Sequence, residues 1–162
     1  MKHLNLKAPL VPGQSAGGFV IGTHLALYAA DIQQFVHTSK EGEDISTYLY
    51  SKFYIQYRWA DNILVSFNLV SGQLTSIGVL SNYKGLLWNK IGIGMTIKRA
   101  LELEPNLYYD EIEEGYYIND SSGTQLGLAI FLETEDNHID FPENKINEIT
   151  IFRHELMVIE SY

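Results

Sequence analysis

The chain has no cysteine, which excludes disulfides, thiolate metal sites, thiol nucleophiles and a lipid-modified cysteine together. It has no apolar run near the ~20 residues that a membrane-spanning helix needs. The N-terminal segment from Met1 to Pro9 carries charge but no apolar region behind it, a poor secretory signal. These absences predict a cytoplasmic protein with no membrane contact. No Gly-Lys-Ser/Thr phosphate loop occurs, and Gly92-Ile93-Gly94 meets Ile97 where a dinucleotide fingerprint needs its third glycine. Lys98-Arg99 is the only adjacent basic pair. Nucleic acid is therefore disfavoured as a partner.

Basic residues are also missing from one long stretch. Between Glu102 and Glu143 stand twelve of the 20 carboxylates and no Lys or Arg, which leaves eight acids against 11 bases elsewhere. The net charge of −9 thus sits on a mildly basic body with one strongly acidic segment. Such asymmetry points to a basic partner surface, with an acidic solubilising face as the plain alternative.

What is present suffices for a core: 46% of the 162 residues are hydrophobic and 12% aromatic, a composition suited to one domain. Two stretches share a layout. Phe19–Leu25 and Ile91–Ile97 each read as a short strand reaching a glycine, Gly22 or Gly94, followed by a Thr able to cap a helix. The first helix places Leu25, Tyr28, Ala29, Ile32, Phe35 and Val36 on one side. The second offers Ile97, Ala100 and Leu101 before Pro105 stops it. Strand-like runs follow at 54–59, 63–69 and 74–79, and again at 115–119, 126–132 and 146–152. Gly22 and Gly94, Leu25 and Ile97, Leu74 and Ile146, and Ile77 and Ile149 are each 72 apart. The expected fold is α+β: two tandem helix-plus-antiparallel-meander units, about 17–82 and 88–153, forming one domain over 1–162. The tail, Leu156–Ile159, is expected to add a last strand.

The segment Ile93-Gly94-Met95-Thr96-Ile97-Lys98-Arg99-Ala100-Leu101 resembles the tandem-repeat β-lactamase-inhibitor-like fold and related small bacterial lipoproteins. Without an export signal or a cysteine, the chain is similar in type to cytoplasmic immunity proteins of bacterial contact-dependent or polymorphic toxin systems. That resemblance implies a protein that binds and neutralises a toxin.

Motifs for chemistry are sparse. Gly13-Gln14-Ser15-Ala16-Gly17 fits the nucleophile-elbow pattern, but that motif needs a turn from a buried strand into a helix. Prolines precede it and a strand-like run follows, so a loop entering the first strand is expected. Asp136, His138 and Asp140 lack the register of a calcium loop, so no metal and no cofactor is expected. Carboxylate pairs of the glycosidase kind require two acids in one cleft with separated pKa values.

Tyrosines flank the acids instead. Tyr supplies contact area at low entropic cost, and carboxylates steer a basic partner. The expected partner-binding residues are Tyr108, Tyr109, Asp110, Glu111, Glu113, Glu114, Tyr116, Tyr117, Glu135, Asp136 and Asp140, with one of Tyr116 and Tyr117 packed inward. The expected function is non-catalytic: an immunity protein that occludes a cognate, basic nuclease toxin. The alternatives are a small carboxylate-dependent hydrolase and a non-catalytic adaptor in a bacterial assembly.

Overall fold

A computed structural model describes residues 2–37, 47–51, 53–134 and 141–156. The elements run β1 (Ser15–Ala16), β2 (Phe19–Val20), α1 (Leu25–His37), β3 (Thr47–Ser51), β4 (Tyr54–Trp59), β5 (Ile63–Asn68) and β6 (Leu74–Val79). They continue as α2 (Ile97–Leu103), β7 (Tyr108–Asp110), β8 (Gly115–Asn119), β9 (Gln125–Leu132) and β10 (Ile146–Phe152), closing on a short 3-10 turn, His154–Leu156. β3 to β10 form one antiparallel sheet of eight strands in the order β3-β4-β5-β6-β10-β9-β8-β7. The fold is α+β.

Alternation along the strands divides the sheet into two faces. Ile63, Val65, Phe67, Ile77, Ile130, Ile149 and Ile151 point to an inner face and form one buried cluster with Tyr28 and Ile32 of α1 and Ile97 and Ala100 of α2. Each side of the sheet is thus a helix followed by a four-strand meander, and the meanders meet where β6 pairs with β10.

The same backbone hydrogen bonds recur at a fixed offset. Gly22 N–H donates to Leu74 O and Gly94 N–H to Ile146 O, both at 2.8 Å. Leu25 N–H reaches Gly72 O at 2.8 Å, and Ile97 N–H reaches Asn144 O at 2.9 Å. Both members of each pair differ by 72 residues. β-Bulges recur as well, with Thr75 the extra residue of β6 and Asn147 that of β10. At the junction Gly78 pairs with Thr150, flanked by Ile77 with Ile151 and Val79 with Ile149. Exchanging each residue for the one 72 away leaves this ladder unchanged, so a local two-fold axis passes through the Gly78–Thr150 pair.

Several expectations need correction. The short strands expected to run up to Gly22 and Gly94 are reduced to Phe19–Val20 and to an isolated bridge from Leu87 to Ile91. Thr96 does cap α2, accepting from Arg99 N–H, whereas α1 begins one residue beyond its Thr. There His24 takes the capping place, its Nδ1 accepting from Ala26 N–H at 3.2 Å. Ala29 is exposed. The buried stripe of α1 instead includes Asp31, wholly inaccessible and bonded by the His3 backbone N–H at 3.0 Å and paired with the His3 ring at 2.6 Å. Phe35 and Val36 have side chains outside the described set. Ser15 lies in a strand-turn-strand hairpin with Phe19–Val20, not at a strand-to-helix turn. Leu156 belongs to the 3-10 turn, and the rest of the expected tail strand lies outside the described residues. No helix among the described residues is long and apolar enough to cross a membrane.

Candidate functional site

The outer face of the sheet carries a trough of about 670 Å³. Its walls include Tyr54 and Gln56 of β4 on one side and Glu113, from the β7–β8 turn, on the other. In a flat sheet those elements would stand about 20 Å apart or more, at roughly 4.8 Å per strand. The trough therefore runs across much of the outer face, from β4 to the β7–β8 turn. The two bulges lie along it, and an extra residue bends its strand and increases local twist.

Polar groups occupy the β4–β6 side of the floor. Gln56 Nε2 donates to Ser66 Oγ at 3.1 Å, and Thr75 Oγ1 donates to Ser66 O at 3.0 Å, satisfying a carbonyl at the bulge. Across the junction, Glu148 of β10 lies half-buried beside its cross-strand partner Phe131 of β9. Thr150 Oγ1 donates to Glu148 Oε1 at 2.6 Å. Burial pushes the Glu148 carboxyl above its ordinary value, partly offset by the Thr150 hydroxyl and the charge of Arg58. Arg58 itself is engaged by Asp61 at 2.8 Å.

Beyond Phe131, outside the trough, Tyr117, Ala129 and Phe152 form a second buried cluster on the outer face against Tyr108 and Phe131. Tyr108 Oη donates to Asn119 Oδ1 at 3.2 Å, and its ring centroid lies 6.3 Å from that of Tyr117. Burial, followed by the charges of Glu113 and Asp110, pushes the Tyr117 phenol up to about 12. The β7–β8 turn rises next to this cluster. Asp110 Oδ1 accepts from the Ile112 and Glu113 backbone N–H groups, which fixes the turn. Glu111, Glu113 and Glu114 are exposed around Ile112, itself 90% accessible.

The residues expected to bind a partner are thus divided. Asp110, Glu111, Glu113 and Glu114 share one turn, and Tyr108 and Tyr117 lie on the adjoining outer face. Tyr116 is 0% exposed and sits in the inner core, its ring 5.1 Å from that of Tyr109. Strand alternation sends both of these side chains to the helix side, so Tyr116 lies within the core and Tyr109 packs against it. Glu135, Asp136 and Asp140 lie outside the described residues. Nor does the acidic segment form one surface. Glu104 pairs with Lys90 at 3.1 Å and Glu102 with Arg99 at 2.7 Å, both beside α2. Among the described residues no three His, Asp or Glu side chains gather as a metal set.

The trough itself was not anticipated from sequence, except for Glu113. Leu64, Ser66, Ser76, Glu148 and Thr150 alternate with core residues along their strands, and that alternation was a readable signal of one shared face.

No family model and no curated protein matches this chain. Among solved structures it is similar to the crystal structure of the uncharacterized protein YfeY from Escherichia coli, with a TM-score of 0.53 and 12% identity over 88% of this chain and 99% of that one. At that identity the likeness concerns the fold.

Proposed function

We propose that this chain is a non-catalytic cytoplasmic inhibitor of the immunity type, which receives a basic segment of a cognate toxin in the trough. The observation that carries the reading is the trough, with Glu113 of the acidic β7–β8 turn at its rim, the Phe131 ring on one side of its floor and hydrogen-bonding groups on the other. An open trough on a sheet face accepts a protruding protein segment. Carboxylates at its rim attract a basic one and raise the encounter rate. We further propose that the chain consists of two copies of one helix-plus-meander unit. The hydrogen bonds and bulges repeated 72 residues apart support that reading.

The hydrolase alternative draws on one observation, that Glu113 and Glu148 line the same trough. Glu113 is exposed at the rim while Glu148 is half-buried in the floor.

The test is binding kinetics with the protein product of the adjacent gene. Reversing Glu111, Glu113 and Glu114 to Lys lowers the association rate about tenfold and weakens its salt dependence. Ser76→Arg, which fills the trough, raises dissociation by tenfold or more. If the wild type does not bind that product, or if both variants bind unchanged, the reading fails.

A further inference from the structure

We infer that the floor of the trough seats one cationic side chain, a lysine or arginine on a protruding segment of the protein partner. Its charge rests on Glu148 and its methylene stem lies along Phe131 and Leu64. The inference rests on the reading of the trough as a protein-binding face and names the group that face recognises.

Glu148 is the starting point. It stands in mid-sheet on β10, and one carboxylate oxygen is taken by the Thr150 hydroxyl. The other oxygen has no protein hydrogen-bond donor among the described residues. Arg58 influences the carboxyl through space but is already bound by Asp61 and the Ala60 carbonyl. A half-buried carboxylate without a cation is unfavourable to the fold, and its cost is relieved when a cation arrives.

Gly78 makes room for this arrangement. A Cβ at that position would lie 2.8 Å from Glu148 Oε1 and 3.3 Å from both Leu64 Cδ1 and Thr150 Oγ1. Any side chain there displaces the carboxylate. The missing one leaves Glu148 resting over the strand junction at the centre of the trough.

The neighbours select the kind of cation. Phe131 is directly opposite Glu148 in the ladder and shares its face. A ring beside a carboxylate favours an organic cation, because the ring attracts positive charge and also covers an apolar stem. A divalent metal requires several oxygen ligands, and the floor supplies a single carboxylate. Leu64 completes the apolar side. The exposed Glu111, Glu113 and Glu114 at the rim steer positive charge inward without closing the trough.

The experiment uses the full chain and three capped tripeptides: Gly-Lys-Gly, Gly-Arg-Gly and Gly-norleucine-Gly, the last having a stem without charge. Each is titrated to tens of millimolar while the methyls of Thr150, Ala129 and Leu64 and the ring of Phe131 are followed by NMR. Saturating shifts are expected at Thr150 and Phe131 with the lysine and arginine peptides. Binding at least tenfold weaker is expected for the norleucine peptide, and for all three with Glu148→Gln. The Glu148→Gln protein retains the Thr150 hydrogen bond, and its unperturbed amide spectrum serves as the folding control. Equal binding of the norleucine peptide, unchanged binding by Glu148→Gln, or shifts confined to 111–114 overturns the inference. No saturable shift with any peptide overturns it as well. None of these outcomes touches the wider reading, which stands or falls on the toxin kinetics of Ser76→Arg and the charge reversals.

Discussion

On the outer face, the β5–β6 bulge is flanked by Ser66 paired with Ser76, while the β9–β10 bulge is flanked by Phe131 paired with Glu148. On the inner face the same places hold Val65 with Ile77 and Ile130 with Ile149, all fully buried. The backbone plan and the core chemistry match, yet the outer chemistry differs, two hydroxyls at one bulge and a ring and a carboxylate at the other. Packing constrains the inner positions, since a core tolerates only side chains of suitable shape and volume. The constraint is weaker at Ser76, Phe131 and Glu148, which are only partly buried.

The inner–outer contrast is broken most directly at the adjacent tyrosines. Tyr116→Ala opens a cavity in the main core and is expected to cost about 4 kcal/mol. Tyr117→Ala removes a ring that is 6% exposed and belongs to the small outer cluster, with an expected cost of about 2 kcal/mol. Denaturant unfolding of both variants measures the difference. Equal losses would show that the outer aromatic cluster is as essential to the fold as the core.

Asp31 breaks the symmetry of the helices, for the residue 72 positions on is Leu103. Burial opposes its charge, but hydrogen bonds from the His3 backbone and ring hold the carboxyl below its ordinary value. Asp31→Ala is expected to cost about 2–3 kcal/mol, leaving the His3 donors without an acceptor. The pH dependence has a definite sign. A depressed pKa contributes stability above the unfolded-state value, and that contribution is lost as pH falls through the folded-state value. The variant's deficit should therefore shrink on acidification, measured as unfolding midpoints between about pH 7 and pH 2.5.

Much of this fold was legible because hydrophobic alternation is strong. β4, β6, β8 and β10 have the bounds read from sequence, and β5 and β9 differ by one residue at an end. The edge strand β7 escaped because its three residues, Tyr108–Asp110, are too few to display a period. Asp31 escaped because a carboxylate on the buried stripe only makes sense once His3 is known to fold over it, 28 residues away in sequence. For the site, charge density drew attention to the turn at 110–114, which is exposed as clustered charge implies. The trough floor was hidden for the opposite reason. Glu148 is a single acid among strand residues, and its setting is created by Phe131, Gly78 and Leu64 from three other strands.

The repeated helix entrances yield a sharper comparison. Gly22 has φ +85 and Gly94 has φ +81, both in the left-handed region where a Cβ is disfavoured. A Cβ on Gly22 would find its nearest neighbour at 3.6 Å, and one on Gly94 would meet nothing within 4 Å. Contact therefore plays no part, and the cost of alanine is conformational at both. Gly22→Ala and Gly94→Ala should each lose about 1 kcal/mol, agreeing within about 0.5 kcal/mol. A large cost at one and none at the other would mean that the two entrances are not equivalent.

At Glu148 the expected effect is a gain, and it separates binding from folding at one residue. Glu148 titrates above its ordinary value because burial penalises its charge. A raised carboxyl pKa contributes stability that is fully present below the unfolded-state value and lost as pH rises through the folded-state value. The ionised form carries a burial penalty, only partly offset by the Thr150 hydroxyl and the charge of Arg58, that Glu148→Gln removes while the amide oxygen still accepts from Thr150. The variant should be more stable than the wild type by about 1 kcal/mol at pH 7, and the gain should fade on acidification below about pH 4. At the matching position of the other half, Ser76→Ala should change stability by less than about 0.5 kcal/mol at any pH, since no charge is involved. Chemical unfolding across that range tests both. A Glu148→Gln protein less stable than the wild type at pH 7 would mean that the carboxylate supports the fold. A more stable one would mean that the chain retains Glu148 at the expense of stability, as functional residues commonly are.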